Sequence, residues 1–435
     1  MMTRKLLPLM IGALAATPAM AETEIEFWHA MGGALGEMTE DIVSGFNDSQ
    51  DAYRVNASYR GNYNDTMTGA IAAFRSGTQP TLVQVYEVGT ATMMAAEGAV
   101  YPLHELMAAH ADGFEPSDYL TSVVGYYADE SGNMLSFPYN SSTPVLYYNR
   151  EAFEAAGLPD RGPRTWEELE AFSEQLMDAG YACGFTTAWQ SWIHLENLSA
   201  RHDVPFATQA NGFAGLDTEL VFNDELQRHH IAALGEWQEE GIFSYSGRTN
   251  EGSSKFYSEE CAMYTESSAG YAGVNANADF AFGVSPLPYW EEKIDTPRNT
   301  IIGGATLWTL RGHDEAAYAA AAAFLSYLSR PEVQADWHQQ SGYLPVTHAA
   351  VEKTRDSGFY AENPGTDTAI EQMTATEPTE NSRGLRLGNF PQIRAVIDES
   401  LESVWNGEAS AQDALDRAVE RGNAQLRRFE KANER

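Results

Sequence analysis

Over 435 residues the chain carries 62 Asp and Glu against 27 Lys and Arg, a formal charge of −35, and its 43% hydrophobic content includes 9 Trp, 21 Tyr and 19 Phe. Such a charge excludes nucleic acid and anionic membranes as partners, because both repel it, and an anionic ligand would need a local, strongly positive site. The apolar and aromatic content excludes a disordered chain.

In chain order, Arg4 and Lys5, the apolar run Leu6 to Ala16 and the small residues Ala19-Met20-Ala21 have the layout of a secretory signal peptide cleaved after Ala21. The run is shorter than the roughly 20 residues that span a bilayer, and no Cys follows it to carry a lipid, so residues beyond 21 are expected free in the periplasm. About four hundred residues remain, too many for one ordinary core and enough for two lobes. Ile25 to Trp28 reads as a strand, Asp65 to Arg75 as a helix with Met67, Ile71 and Phe74 on one face, and Thr81 to Tyr86 as a strand. Glu87 then sits at a strand's carboxyl end, where open α/β sheets bind ligands.

The extended stretch Phe137 to Pro144, with two prolines and small polar residues, suits a crossing between lobes before the strand Val145 to Tyr148. Thr165-Trp166-Glu167-Glu168 caps a helix that runs toward Gly180, and a further α/β series reaches Phe282-Gly283-Val284, where a return crossing is expected. Ala316 to Leu328 is a packed helix, Pro391 begins another, and Ser410 with Asp413 opens the last in a capping arrangement. Cys183 and Cys261 are the only cysteines. In an oxidising compartment they either pair as one disulfide or remain two buried thiols.

Signatures of catalysis are missing. His104 and His110 are six apart, whereas two zinc ligands on one helix face stand four apart, and the adjacent His229 and His230 cannot point the same way on a helix. Ser267 and Ser268 lie in Glu266-Ser267-Ser268-Ala269-Gly270, which lacks the leading glycine of a nucleophile elbow. Trp189 and Trp192, three apart, would share a helix face and offer a flat apolar wall to a polyol, or else pack the core. Arg394, in the first turn of the helix beginning at Pro391, would together with that helix start make a phosphate site, or else form a surface salt bridge. Gly303-Gly304 after Ile301-Ile302 reads either as a strand end of close backbone approach or as a tight turn.

Longer motifs go further. Gly61-Asn62-Tyr63, Ala70 to Arg75, Gln84 to Met94, Asn140 to Asn149, Ile301 to Ala305, Ser341-Gly342-Tyr343-Leu344-Pro345 and Gly384 to Asn389 running into Pro391-Gln392-Ile393-Arg394 closely resemble the sn-glycerol-3-phosphate-binding proteins of Ugp-type ABC importers, over essentially the whole chain after the signal. The resemblance implies a maltose-binding-protein-like α/β fold, the type II periplasmic binding protein: two α/β lobes, a hinge and three crossings. The lobes would comprise 22–139 with 285–328, and 140–284 with 329–435. It further implies Tyr63, Glu87, Ser142, Ser267, Gly304, Tyr343 and Arg394 as ligand contacts, with Trp189 and Trp192 flanking the glycerol.

The implied function is that of a monomeric, non-enzymatic, cofactor-free receptor that captures glycerol 3-phosphate or a glycerophosphodiester such as glycerophosphocholine. It would deliver the ligand to the membrane subunits and ATPase of an ABC importer. An oligosaccharide-binding protein and a secreted glycerophosphodiester hydrolase are the competing readings. One departure from the family pattern is Glu266, an acid beside Ser267 that would repel phosphate if it pointed inward.

Overall fold

The computed structural model describes residues 22–434 apart from 97 and 130, so the expected signal peptide at 1–21 lies outside the described residues. Among the described residues ten strands form two sheets: β1 (Thr23–His29), β2 (Tyr53–Tyr59), β3 (Leu82–Tyr86), β4 (Val100–Tyr101), β5 (Phe137–Ser142), β6 (Pro144–Asn149), β7 (Cys183–Thr187), β8 (Cys261–Ser267), β9 (Phe282–Pro286) and β10 (Gly303–Leu310). The first sheet runs β2-β1-β3-β10-β4 with β5 also on β10, and the second runs β7-β8-β6-β9. Parallel pairs β1/β2, β1/β3 and β7/β8 are joined through helices, while β10 and β6 lie antiparallel to their neighbours.

Strands β3, β5, β6, β7 and β8 are buried at every residue. That explains why β3 and β6 read as mostly apolar runs and not as alternating ones. Phe27, Val83, Leu307, Leu146, Phe185 and Met263 are shut off from solvent at the centres of the two sheets, each contributing about 1.5–3 kcal/mol by burial. The helix Glu315–Leu328 packs on β1, and the helices Phe390–Trp405 and Ala411–Asn433 pack on each other and on Glu225–Glu240. Thr165 and Ser410 cap their helices as expected, accepting from the amides of Glu168 and Asp413.

The first crossing is sharper than the extended stretch Phe137 to Pro144 suggested. The chain is a strand to Ser142, and only Thr143 lies between the sheets. Pro138 is tolerated because it pairs opposite Thr306, at the register shift in β10, where it need not donate to the ladder. The second sheet also keeps the chain to Pro286 in β9 before the return through 287–302. Thr143 Oγ1 donates to Thr300 Oγ1 at 2.6 Å, tying the two crossings side by side. A later segment joins them where Leu344 N donates to Ser141 O at 2.7 Å.

Cys183 and Cys261 are register partners on β7 and β8 and are joined as a disulfide, with a Cα–Cα distance of 4.7 Å. Of the two states the sequence left open, the structure adopts the bridge.

Candidate functional site

The strand ends that face one another across the crossings enclose a cavity of about 130 Å³. Tyr63, Glu87, Ser142, Trp189, Trp192, Ser267, Gly304, Tyr343 and Arg394 all line it, together with Leu35, Tyr86, Asn250, Glu266, Ala269 and Gly303. The first sheet supplies Glu87 just after β3, Ser142 at the end of β5 and Gly304 at the start of β10. The second supplies Ser267 at the end of β8 and the segment after β7 that carries both tryptophans.

Gly303 and Gly304 form a strand end of close approach, not a turn. Gly304 has φ +92°, and a Cβ there would stand 1.8 Å from Asn140 O, while one on Gly303 would stand 2.4 Å from the Trp192 ring. Only residues without a side chain let β10, β5 and the indole meet here.

Trp189 and Trp192 do not share a helix face, contrary to what their spacing suggested. Trp189 precedes the helix in a left-handed backbone, φ 45°, and Trp192 begins a π-helical turn, Trp192–Asn197. A bulky residue in that region costs about 1–3 kcal/mol. The conformation is held by Trp189 N donating to Thr249 O at 2.9 Å and by Nε1 donating to Glu266 Oε1 at 2.8 Å. The π turn is anchored by Asn197, whose amide donates to Trp192 O and accepts from Ile301 N at 2.9 Å. This widened turn also brings Glu196 to bear on Arg394, a placement that follows the tendency of π-bulges to occur at functional sites.

Arg394 is neither in a first turn nor on the surface. Its helix starts at Phe390, which makes it the fifth residue, and of that helix only Arg394 reaches the cavity, so the helix N-terminus is no part of the lining. Nε and Nη2 donate to the two oxygens of Glu196 at 2.7 and 2.8 Å, and Nη2 lies 2.7 Å from Glu87 Oε1. Burial works against the guanidinium's charge, but Glu196 and Glu87 outweigh it and hold its pKa well above the usual value. Burial pushes Glu87 up, Arg394 pulls it back and Glu196 pushes it up again, leaving it above the usual carboxylate range.

A polar chain orders the opposite wall. Gln84 accepts from Ala30 N at 2.7 Å and donates to Asn140, and Asn140 donates to the Tyr63 hydroxyl at 2.9 Å. Tyr63 stacks on Tyr86 with ring centroids 5.2 Å apart, and Tyr343 stacks on Trp337 at 5.5 Å. Ser267 Oγ accepts from Ala269 N at 3.1 Å and starts the short helical turn after β8.

Glu266 does face the cavity. Oε1 accepts from Ser267 N at 2.6 Å and from Trp189 Nε1, and Oε2 accepts from the Tyr264 hydroxyl. Burial pushes its pKa up to about 7 against these three donors. The residues that sequence reasoning missed are Leu35, Tyr86, Asn250 and Ala269 in the lining and Glu196 behind Arg394. Only Glu196 left a signal, a lone acid inside Trp192-Ile193-His194-Leu195-Glu196. Tyr86 and Asn250 arrive by tertiary packing from the end of β3 and from a loop. Among the described residues no group of three or more His, Cys, Asp or Glu is placed to hold a metal ion, and no helix is long and apolar enough to cross a membrane.

The family model of the bacterial extracellular solute-binding proteins matches residues 41–368. The "sn-glycerol-3-phosphate-binding periplasmic protein UgpB" of Yersinia pseudotuberculosis is 49% identical over 95% of both chains. The protein of the same description from Escherichia coli K12 is 48% identical over 98% of this chain and 97% of its own. Among solved structures, UgpB from Mycobacterium tuberculosis in complex with glycerophosphocholine superposes with a TM-score of 0.80 at 23% identity, covering 94% of this chain and 99% of that one. The maltose-bound MalE3 of T. maritima superposes with a TM-score of 0.75 at 16% identity, covering 92% and 99%. These two superpositions carry the fold, that of two-lobed maltose-binding-protein-like receptors.

Proposed function

The chain belongs to the bacterial extracellular solute-binding proteins, among their UgpB members, and from that premise we propose that it captures sn-glycerol 3-phosphate or a glycerophosphodiester in the periplasm for an ABC importer. The single observation that carries the reading is the meeting of Arg394, Glu87 and two tryptophans with Ser142, Ser267, Gly304 and Tyr343 in one buried cleft fed by both sheets. Residues 1–21 serve as the signal in this reading, and the transporter's membrane subunits and ATPase are the partners of the monomer.

Each side chain then has a chemical task. Glu87, an acceptor when ionised, takes the hydrogen bonds of neighbouring glycerol hydroxyls. Three of the five guanidinium N–H groups of Arg394 go to Glu196 and Glu87, and the Nη1 pair is left for a phosphate. Ser142, Ser267 and Tyr343 donate hydroxyls to phosphate oxygens, and the Gly304 N–H approaches closely because no Cβ intervenes. Trp189 and Trp192 flank the carbon face of the glycerol, and Tyr63 covers it. Only a closed cleft makes all these contacts, so ligand favours closure about the paired crossings at Thr143 and Thr300, and the importer reads the closed form.

We assign the cleft binding without turnover. The reading follows the membership of the chain in a family of solute-binding proteins.

Isothermal calorimetry of the mature protein against glycerol 3-phosphate, glycerophosphocholine and maltose, in buffer free of inorganic phosphate, tests the reading. Micromolar or tighter binding of a glycerol ligand is expected. Heat from maltose with silence from both glycerol ligands would leave the fold and remove the assigned chemistry.

A further inference from the structure

The cleft carries more negative charge than a phosphate receptor needs. Arg394 is its lining cation, and it is already engaged by two carboxylates, Glu87 and Glu196, whose side chains are 7% and 1% exposed. Glu266 adds a third carboxylate on the opposite sheet, and its Oε1 occupies the Ser267 N–H at 2.6 Å. That amide, at the start of the turn after β8, is thereby already taken by a carboxylate.

Glu266 has little room to withdraw. A Cβ on Gly270 would stand 2.5 Å from its Cγ, and Trp189, whose indole it holds, sits in a strained left-handed backbone. The ionisable groups that face it are Tyr264 from its own strand, Tyr147 from β6, Tyr257 from the helix Ser253–Tyr257, Tyr343, and the acid Glu251.

We infer that Glu266 is a specificity-determining residue that makes the cleft favour singly charged glycerophosphodiesters over the doubly charged glycerol phosphomonoester. The inference rests on the function proposed above and narrows its ligand class. A monoester at pH 8 carries nearly two charges, its second pKa being about 6, and a diester carries one. A carboxylate about 5 Å from the phosphate in a medium of effective dielectric about 20 penalises the extra charge by roughly two- to three-hundredfold in affinity. Burial holds the Glu266 pKa at about 7, so the group is mostly ionised at pH 8.

The experiment is calorimetry at pH 8 in phosphate-free buffer, with glycerol 3-phosphate, its methyl ester and glycerophosphocholine against the mature wild type and Glu266→Gln. The methyl ester differs from the monoester by one methyl group and one charge, and the Gln amide oxygen still accepts from Trp189 and Ser267. The wild type is expected to bind the methyl ester at least about tenfold tighter than the monoester. In E266Q that ratio is expected to shrink severalfold, through tighter monoester binding.

Equal affinities in the wild type would overturn the inference without any variant. An unchanged ratio in a folded E266Q would overturn the role of Glu266. Silence from all three ligands in the wild type would instead remove the function proposed above, and this inference with it.

Discussion

Replacing Arg394 by Ala should unfold the protein more readily even when no ligand is present. The side chain is the common partner of Glu87 and Glu196, and both carboxylates are buried. Removing one member of a buried ion pair costs about 3–5 kcal/mol, because the charge left behind has lost its solvation and its partner. Since 1 kcal/mol moves the midpoint of a 150–250-residue domain by about 2–4 °C, a fall of about 6 °C or more is expected by calorimetry. Arg394→Lys keeps a charge but not the two-pronged geometry toward Glu196, so its loss should fall between wild type and Ala. Glu196→Gln in the Arg394→Ala background should return part of the stability, a non-additivity of about 0.5–3 kcal/mol. A ligand-free Arg394→Ala protein that melts within about 1 °C of wild type would refute the reasoning, as would strictly additive effects in the cycle.

A free-thiol titration of the unfolded, unreduced protein should find none, and the Cys183→Ser/Cys261→Ser variant should lose about 2–4 kcal/mol because a 78-residue separation is no longer closed; two titratable thiols would remove the bridge. Gly304→Ala forces a Cβ to within 1.8 Å of Asn140 O at φ +92°, so a loss of more than about 2 kcal/mol is expected in a denaturant titration, and unchanged stability would show that β10 and β5 can part at no cost. Stability should fall as pH drops from about 7.5 to 5. Burial lowers His194 to about 3 and His29, His202 and His338 to about 4, so in that window the unfolded chain binds the protons that the folded imidazoles refuse. Glu266 at about 7, Asp398 at about 6 and Glu87, raised by burial, act the other way but are fewer than the lowered histidines, His230 among them. A melting temperature that rises on acidification would mean the carboxylates dominate.

Helices and strands were legible in the sequence because each is decided by neighbours: the caps at Thr165 and Ser410, the apolar runs of β3 and β6, and the strand ahead of Glu87. The long motifs carried the family, and the nine residues the resemblance implied as ligand contacts all line one cavity. What stayed illegible is what the opposing segments do to one another. The spacing of Trp189 and Trp192 implied a shared helix face, but Thr249, Glu266 and the π turn hold the two residues in different backbone states. Arg394 looked like a surface cation or a free phosphate ligand, and only packing could bring Glu87 and Glu196, from 307 and 198 positions away, onto one guanidinium. Local sequence therefore determined the secondary structure, and the family resemblance supplied the candidate site residues. The charge state and strain of the site depended on tertiary structure, because a Coulomb interaction or a steric limit is set by distance in space and has no signature in spacing along the chain.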